Sequence, residues 1–295
     1  MKKIRKAVLP VAGLGTRVLP ATKAIPKEML PVVDRPAIEY VVEEAKQAGI
    51  KHIVFVTGRA KGAIEDHFDR AYELETTLRE KNKAEVLAEL ERTLPKAGSI
   101  SFVRQQAPLG LGHAIWCARD VIGDDPFAVL LPDVLVKGEP GCLAQMVKVY
   151  DENGGNIIAV DEIPAQDVNK YGVIDPVSQQ GNLYEMRGMV EKPEIGQAPS
   201  RLKITGRYIL QPEIFKLLEN QETGNGGEIQ LTDAMVRLMT TQSFFALKYD
   251  GVDFDCGDKL GYLRAIAHFA LQRPDLAEGA RAIFETALAE NKPIN

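Results

Sequence analysis

The sequence predicts an α/β chain: a mostly parallel central sheet, helices on both faces, and antiparallel additions in the second half. Three observations carry this. Short, continuously apolar runs alternate with helical spacing through the first half of the chain. Such runs bury both faces of a strand, so the sheet needs helical cover on both sides. After "NIIAVDEI" the alternation stops, and three strand-like runs follow with no long helix between them.

Taken in order, "KAVLPVA" is the first buried strand. "PAIEYVVEEAKQAG" is a helix, opened by Pro36 and stopped by Gly49. "HIVFVTG" is the second strand, and "AIEDHFDRAYELE" returns to helical spacing. "ISFVRQ" is the third strand, "GHAIWCARDVI" a helix, and "FAVLLPDVLV" a fourth, strongly apolar strand. "CLAQMVKVYDENGG" is a helix with a glycine stop before the fifth strand, "NIIAVDEI". "YGVIDPV", "NLYEMRGMVEKP" and "RLKITGRYIL" are the antiparallel additions beside the parallel core. Helices follow near Pro212–Asn220 and Glu228–Thr241, then a strand at "FFALKYDG" and C-terminal helices over 259–290. Residues 72–94 form a charged, solvated helical insertion and a candidate oligomer contact.

The 295 residues are 45% hydrophobic and 26% charged, enough for a well-buried core. No repeat, low-complexity tract or linker divides them, so 1–295 reads as a single domain. The net charge of −5 argues against a nucleic-acid or membrane surface. No run approaches the roughly 18 apolar residues that span a bilayer. The basic, then apolar start "MKKIRKAVLPVAGLG" leads directly into a charged loop and reads as a strand, not a signal peptide. Cys117, Cys142 and Cys256 lie far apart, without metal-ligand spacing, and suit buried thiols in a reducing cytoplasm.

Ligands of open α/β sheets bind beyond the strand carboxyl ends. The loop after the first strand, "VAGLGTRVLPATKAIPKEMLP", holds Arg17, Lys23 and Lys27, with no nearby acid until Glu28. It is built for a polyanion. It lacks the G-x-x-x-x-G-K-[ST] spacing, and Val18 stands where a dinucleotide fingerprint needs its third glycine. Gly13 and Gly15 let backbone N–H groups approach phosphates closely. Arg17 offers a planar fork and Lys27 a point charge. Asp133 ends a very apolar run, where an unpaired carboxylate is costly.

The pattern Gly13-x-Gly15-Thr16-Arg17, Pro20, Thr22, Pro26-Lys27 resembles the signature loop of the sugar-1-phosphate nucleotidyltransferases. "ATKAIPKEMLPVVDRPAIEYVV", "GLGHA", "LLPDV", "YGVID", "VEKP", "GEIQLTDA" and "DCGDKLGY" are similar, in order, to the bacterial UTP–glucose-1-phosphate uridylyltransferase branch. The resemblance covers nearly the whole chain. It implies a Rossmann-like three-layer nucleotidyltransferase fold and the reaction UTP + glucose 1-phosphate ⇌ UDP-glucose + pyrophosphate. It also implies a cytoplasmic homodimer or homotetramer.

The same resemblance assigns the residues. Arg17, Lys27 and Lys192 are catalytic, Lys192 holding the sugar phosphate. Ala12, Gly13, Gly15, Gln105 and Gly112 take the nucleotide, with Glu28 a weaker candidate. Glu191 accepts from glucose hydroxyls. Gly172 and Gly206 leave room for a sugar ring or form strand bulges. Asp133 and Asp255 ligate one Mg²⁺, a hard ion that commonly takes one or two carboxylates plus phosphates. In "VEKP" both side chains reach one ligand only where the strand ends or bulges, since strands alternate faces. Gln106 stands beside Gln105, so the base contact has two candidates. Lys23 and the 228–233 stretch match the family but stand outside the catalytic set, scaffolding being their other reading, and His113 reads as a helix-start structural residue. Two other readings stay open: a thymidylyltransferase making dTDP-glucose, and a non-catalytic nucleotide-sugar-binding paralogue.

Overall fold

The computed structural model describes residues 1–219 and 227–290. The chain begins with strand β1 (Lys6–Pro10), the phosphate-type loop with short 3-10 turns, and a two-residue hairpin, β2 (Pro31–Val32) and β3 (Arg35–Pro36). There follow α1 (Ala37–Gln47), β4 (His52–Thr57), α2 (Gly62–His67), α3 (Tyr72–Glu80), α4 (Ala84–Thr93) and β5 (Ile100–Arg104). Next come α5 (Leu111–Cys117), α6 (Arg119–Ile122), β6 (Phe127–Leu130), β7 (Val134–Lys137), α7 (Cys142–Asn153) and β8 (Asn156–Glu162). The second half holds β9 (Gly172–Gln180), β10 (Leu183–Glu191), β11 (Leu202–Leu210), α8 (Ile214–Glu219) and α9 (Leu231–Leu238). It closes with β12 (Phe244–Lys248), β13 (Val252–Asp255), α10 (Lys259–Gln272) and α11 (Ala277–Ala289).

The central sheet has nine strands in the order β5-β4-β1-β6-β11-β8-β12-β10-β9. The pairs among β5, β4, β1 and β6 are parallel, as is β8 with β12. Only β10 and β11 run against the others. Alternation within one strand shows why both faces need cover. Ala7 and Leu9 of β1 pack with α1 and α7, through Ile38, Val41, Val42, Leu143 and Met146. Val8 packs on the opposite side with α5, α8 and α9, through Ile115, Phe215 and Met235. In α1, residues 38, 41, 42 and 45 form one buried stripe, the spacing a core-facing helix requires. Each large apolar side chain fully buried this way contributes about 1.5–3 kcal/mol.

Three expectations are corrected. The fourth strand is split at Pro132 and Asp133: β6 stays in the sheet, while β7 leaves it to pair with β13. Of the antiparallel additions, β9 and β10 flank the sheet, but β11 lies inside it, between β6 and β8. The helical run at 63–75 is broken into α2 and α3. The helix expected to reach Asn220 is described as far as Glu219; Asn220 lies outside the described residues. The charged insertion is the α3–α4 pair, tied by Arg79 to Glu75 and Glu91.

The split strand is held by a buried ion pair. Arg207 on β11 is fully buried and donates to both carboxylate oxygens of Glu44 on α1, at 2.8–3.2 Å. The same guanidinium donates to the Leu131 and Val134 carbonyls, at 3.1 and 2.7 Å. Glu44 also accepts from the Leu143 N–H at the start of α7. Removing one partner of such a pair leaves an uncompensated buried charge, at a cost of about 3–5 kcal/mol. Arg207→Met is therefore expected to lower the urea midpoint by a corresponding amount. Arg207→Met with Glu44→Met should be more stable than Arg207→Met alone, because the orphaned carboxylate is gone. A double variant less stable than the single one would rule out charge orphaning as the cause.

Candidate active site

The carboxyl ends of β1 and β6 and the facing half of β11 open onto one cavity of about 670 Å³. Arg17, Asp133, Gly172, Glu191, Lys192, Gly206 and Asp255 line it. Lys27 joins it by donating to Asp133 Oδ2 at 2.6 Å. Residues from six separate stretches of sequence thus meet here. The topology explains the meeting. Arg207 pairs in register with Leu130, so Gly206 lies just past the end of β6, beside Leu131.

In the loop after β1, Thr22 Oγ1 donates to the Gly15 carbonyl at 2.6 Å and folds the loop back on itself. Gly15 is left-handed, φ 67°, a conformation glycine takes without a Cβ penalty. Arg17 stays 61% exposed and stands between the two aspartates, 3.8 Å from Asp133 and 3.9 Å from Asp255. Asp133 is fixed on its other side, where its carbonyl accepts from the Cys256 N–H at 2.7 Å. The Gly257 N–H donates to Asp255 Oδ1 at 2.8 Å.

The charges are matched. Burial pushes the Asp133 carboxyl up, but the charge and hydrogen bond of Lys27 outweigh it and hold its pKa below the usual range. Burial likewise lowers Lys27, while the charges of Asp133 and Glu28 raise it more. Asp255 is raised, by burial first and by the charge of Asp133 next. Asp133 and Asp255 thus share one cavity wall, with Arg17 between them and Lys27 on Asp133, and are the two carboxylates there that could hold a metal. Among the described residues no group of three or more His, Cys, Asp or Glu side chains gathers to hold a metal. A pair of hard oxygen donors at an open cavity fits Mg²⁺, which commonly takes one or two carboxylates and completes its shell with other oxygens.

Elsewhere on the cavity wall, β10 stops at Glu191 and the chain turns. Lys192 is left-handed, φ 49°, with its N–H donating to the Tyr171 carbonyl at 3.1 Å. That turn is the strand end "VEKP" requires, and it lets Glu191 and Lys192 line one cavity. Non-glycine residues in this conformation are uncommon and concentrate at functional sites. Gly172 faces Glu191: a Cβ there would stand 3.0 Å from Oε2.

The base-side candidates lie on the adjoining loop. Gln105 is buried and donates through Nε2 to the Gly110 carbonyl at 3.0 Å, with His113 Nδ1 at 3.1 Å. Gln106 is exposed. Ala12 is half-buried and Gly13 exposed. Gly112 has a packing reason of its own. Its N–H donates to the Ile229 carbonyl at 2.8 Å, and a Cβ there would meet that oxygen at 2.8 Å. Glu28 is buried with Oε2 on Lys61 at 2.9 Å; burial raises its carboxyl, against the opposing charge of Lys61.

The structure adds residues that the sequence did not single out. Lys203 is buried in the cavity wall and donates to Asp253 Oδ2 at 2.6 Å, and Asp253 accepts from Tyr249 at 3.1 Å. The signal was a lysine inside the apolar run "RLKITGRYIL". Tyr171 and Thr232 also line the cavity. Gly257 approaches Arg17 so closely that a Cβ would lie 2.6 Å from its guanidinium.

The sequence profile of the nucleotidyl transferase family matches residues 6–270. A UTP–glucose-1-phosphate uridylyltransferase of Bacillus subtilis (strain 168) is 51% identical over 278 residues, spanning 94% of this chain and 95% of its own. The solved structure of a UTP-bound UGPase from Acinetobacter baumannii superposes with a TM-score of 0.89 at 49% identity, covering 98% of this chain and 100% of that one. A UDP-glucose pyrophosphorylase complexed with UDP-glucose superposes with a TM-score of 0.84 at 42% identity, covering 92% and 100%. By this likeness, extending over nearly its whole length, the chain belongs to the nucleotidyl transferase family and, within it, to the UTP–glucose-1-phosphate uridylyltransferases.

Proposed function

We propose that the cavity transfers the uridylyl group of UTP to glucose 1-phosphate, giving UDP-glucose and pyrophosphate. The observation that carries the reading is the gathering of Arg17, Lys27, Asp133, Asp255, Glu191 and Lys192 around one space, in relatives' company that includes UTP- and UDP-glucose-bound structures. A sugar-phosphate oxygen attacks the α-phosphorus of UTP in line, and pyrophosphate leaves. The attacking oxygen is already anionic, so no general base is needed. Rate enhancement then comes from positioning and from balancing charge.

Each side chain has a part in that balance. Arg17, exposed at the cavity mouth, pairs with phosphate oxygens and stabilises the departing pyrophosphate. Lys27 holds the triphosphate. Lys192 aims the attacking phosphate against its own repulsion, and Glu191 accepts from the sugar hydroxyls. Gln105, the buried one of its pair, reads the base with the Ala12–Gly13 backbone, Gly112 and Glu28. Asp133 and Asp255 would hold Mg²⁺, which when bound neutralises phosphate charge. No described helix is long and apolar enough to cross a membrane. The reading is of a cytoplasmic homodimer or homotetramer that uses neither nucleic acid nor membrane.

Pyrophosphate release with a panel of UTP, dTTP and CTP against glucose 1-phosphate tests the function. UTP should give the highest kcat/KM; a preference for dTTP would overturn it. Lys192→Ala should raise KM for glucose 1-phosphate about tenfold or more, the loss of a charge-assisted contact of about 1.5–3 kcal/mol, and leave the affinity for UTP nearly unchanged. Equal losses for both substrates would refute the assignment.

Asp133→Asn and Asp255→Asn should each lose about 10²-fold in turnover or more, the scale of removing one preorganised electrostatic group, with the fold intact. Acting through one ion, they should not multiply, so the double variant should be little worse than the worse single one. Mg²⁺ titrations of pyrophosphate release for all four proteins decide this, and multiplicative losses would break the shared-ion reading.

A further inference from the structure

The stretch "GEIQLTDA" looked like scaffolding in the sequence. In the structure it joins the start of α5 to the cavity wall beside Glu191. Its Ile229 N–H donates to the Leu109 carbonyl at 2.7 Å, and its Ile229 carbonyl accepts from Gly112 at 2.8 Å. These bonds clamp it to the start of α5, beside the Gly110 carbonyl that holds Gln105. Three residues on, in the first turn of α9, Thr232 Oγ1 donates to Glu191 Oε2 at 3.2 Å. Thr232 is buried, yet lines the cavity with Glu191.

The two oxygens of Glu191 are therefore not equivalent. Oε2 is engaged by Thr232 and crowded by Gly172, whose missing Cβ would come within 3.0 Å of it. Oε1 lies toward Lys192, with Nζ at 4.0 Å. The Glu191 side chain is 33% exposed, so without a fixed partner it would sample several rotamers. A carboxylate that must accept from one particular sugar hydroxyl discriminates only if its own position is set, because specificity comes from leaving the wrong hydroxyl unpaired.

We propose that Thr232 is a specificity-determining positioning residue: by holding Oε2, it presents Oε1 of Glu191 to the hexose and sets which epimer is accepted. This rests on the reading of Glu191 as the sugar-hydroxyl acceptor. The Thr232 hydroxyl is supplied by the segment clamped to the base-side loop, so the sugar acceptor is located relative to the nucleotide end.

The test uses three variants of the full chain. Thr232→Val keeps the shape and removes the hydroxyl, Thr232→Ser restores it, and Glu191→Gln probes the underlying reading. Initial rates are measured with glucose 1-phosphate, galactose 1-phosphate and mannose 1-phosphate at saturating UTP, and with UTP varied. Thr232→Val should raise KM for glucose 1-phosphate about three- to tenfold, the scale of one hydrogen bond, and leave KM for UTP unchanged. The kcat/KM ratio of glucose 1-phosphate over its epimers should fall, and Thr232→Ser should recover both values. If Glu191→Gln raises the sugar KM but Thr232→Val moves neither KM nor the epimer ratio, the inference about Thr232 is wrong. If Glu191→Gln also leaves the sugar KM unchanged, the reading of Glu191 fails instead. Equal changes in both KM values for Thr232→Val, or no rescue by serine, would mark a general packing defect and overturn the proposal.

Discussion

The site depends on the ion pair between Arg207 and Glu44. A fully buried guanidinium needs a carboxylate and acceptors for its remaining donors, and here those acceptors are the carbonyls at 131, 134 and 206. These carbonyls belong to the chain on either side of Asp133 and to the wall of the cavity. The pair thus couples α1, α7, β11 and the β6–β7 break in one polar knot inside an apolar core. Such a knot has a high desolvation cost. Its return is geometric. A break in a sheet strand otherwise leaves unpaired backbone groups, and here the carbonyls at 131, 133 and 134 have defined donors.

Much of the architecture was legible. Apolar runs gave β1, β4 and β8, and the Pro36 and Gly49 signals bracketed α1. What failed was the placement that depends on non-local pairing. "FAVLLPDVLV" has one composition throughout, but Val134 finds its partner at Asp255, far along the chain. "RLKITGRYIL" holds two cations and reads as an addition at the margin. It sits centrally because Lys203 and Arg207 have buried carboxylates waiting on other elements. The catalytic candidates were legible through the motif resemblance, not through periodicity. Arg17, Lys27, Asp133 and Asp255 do converge, which spacing alone could not say. Thr232 was illegible because its meaning lies in the contact between the start of α9 and the end of β10.

The electrostatics of the cavity follow from this convergence. Lys27 is close to Asp133, and Arg17 is shared by two carboxylates, so the acidic wall has local counter-charges in the protein itself. On the proposed reading, a polyanionic substrate would meet cations that already have partners, and binding would be an exchange of partners. Lys192 differs: it is exposed and lies 4.0 Å from Glu191, so a phosphate placed there under the proposed reading would have no close ion pair to displace.

The central position of β11 also governs the order in which the molecule is completed. A ribosome delivers residues 6–130 first, and β5, β4, β1 and β6 can zip into a parallel half-sheet from contacts within that length. The exposed margin of β6 then waits through some seventy residues of later chain for its neighbour, Leu202–Leu210. That strand joins β6 to β8 and brings Arg207 to Glu44 in one event. Arrival of β11 therefore closes the seam between β6 and β8, while the sheet still awaits β12 and the cavity still awaits Asp255 of β13. A nascent chain that stops short of Leu210 carries an unsealed strand margin, the kind of surface that invites pairing with other chains.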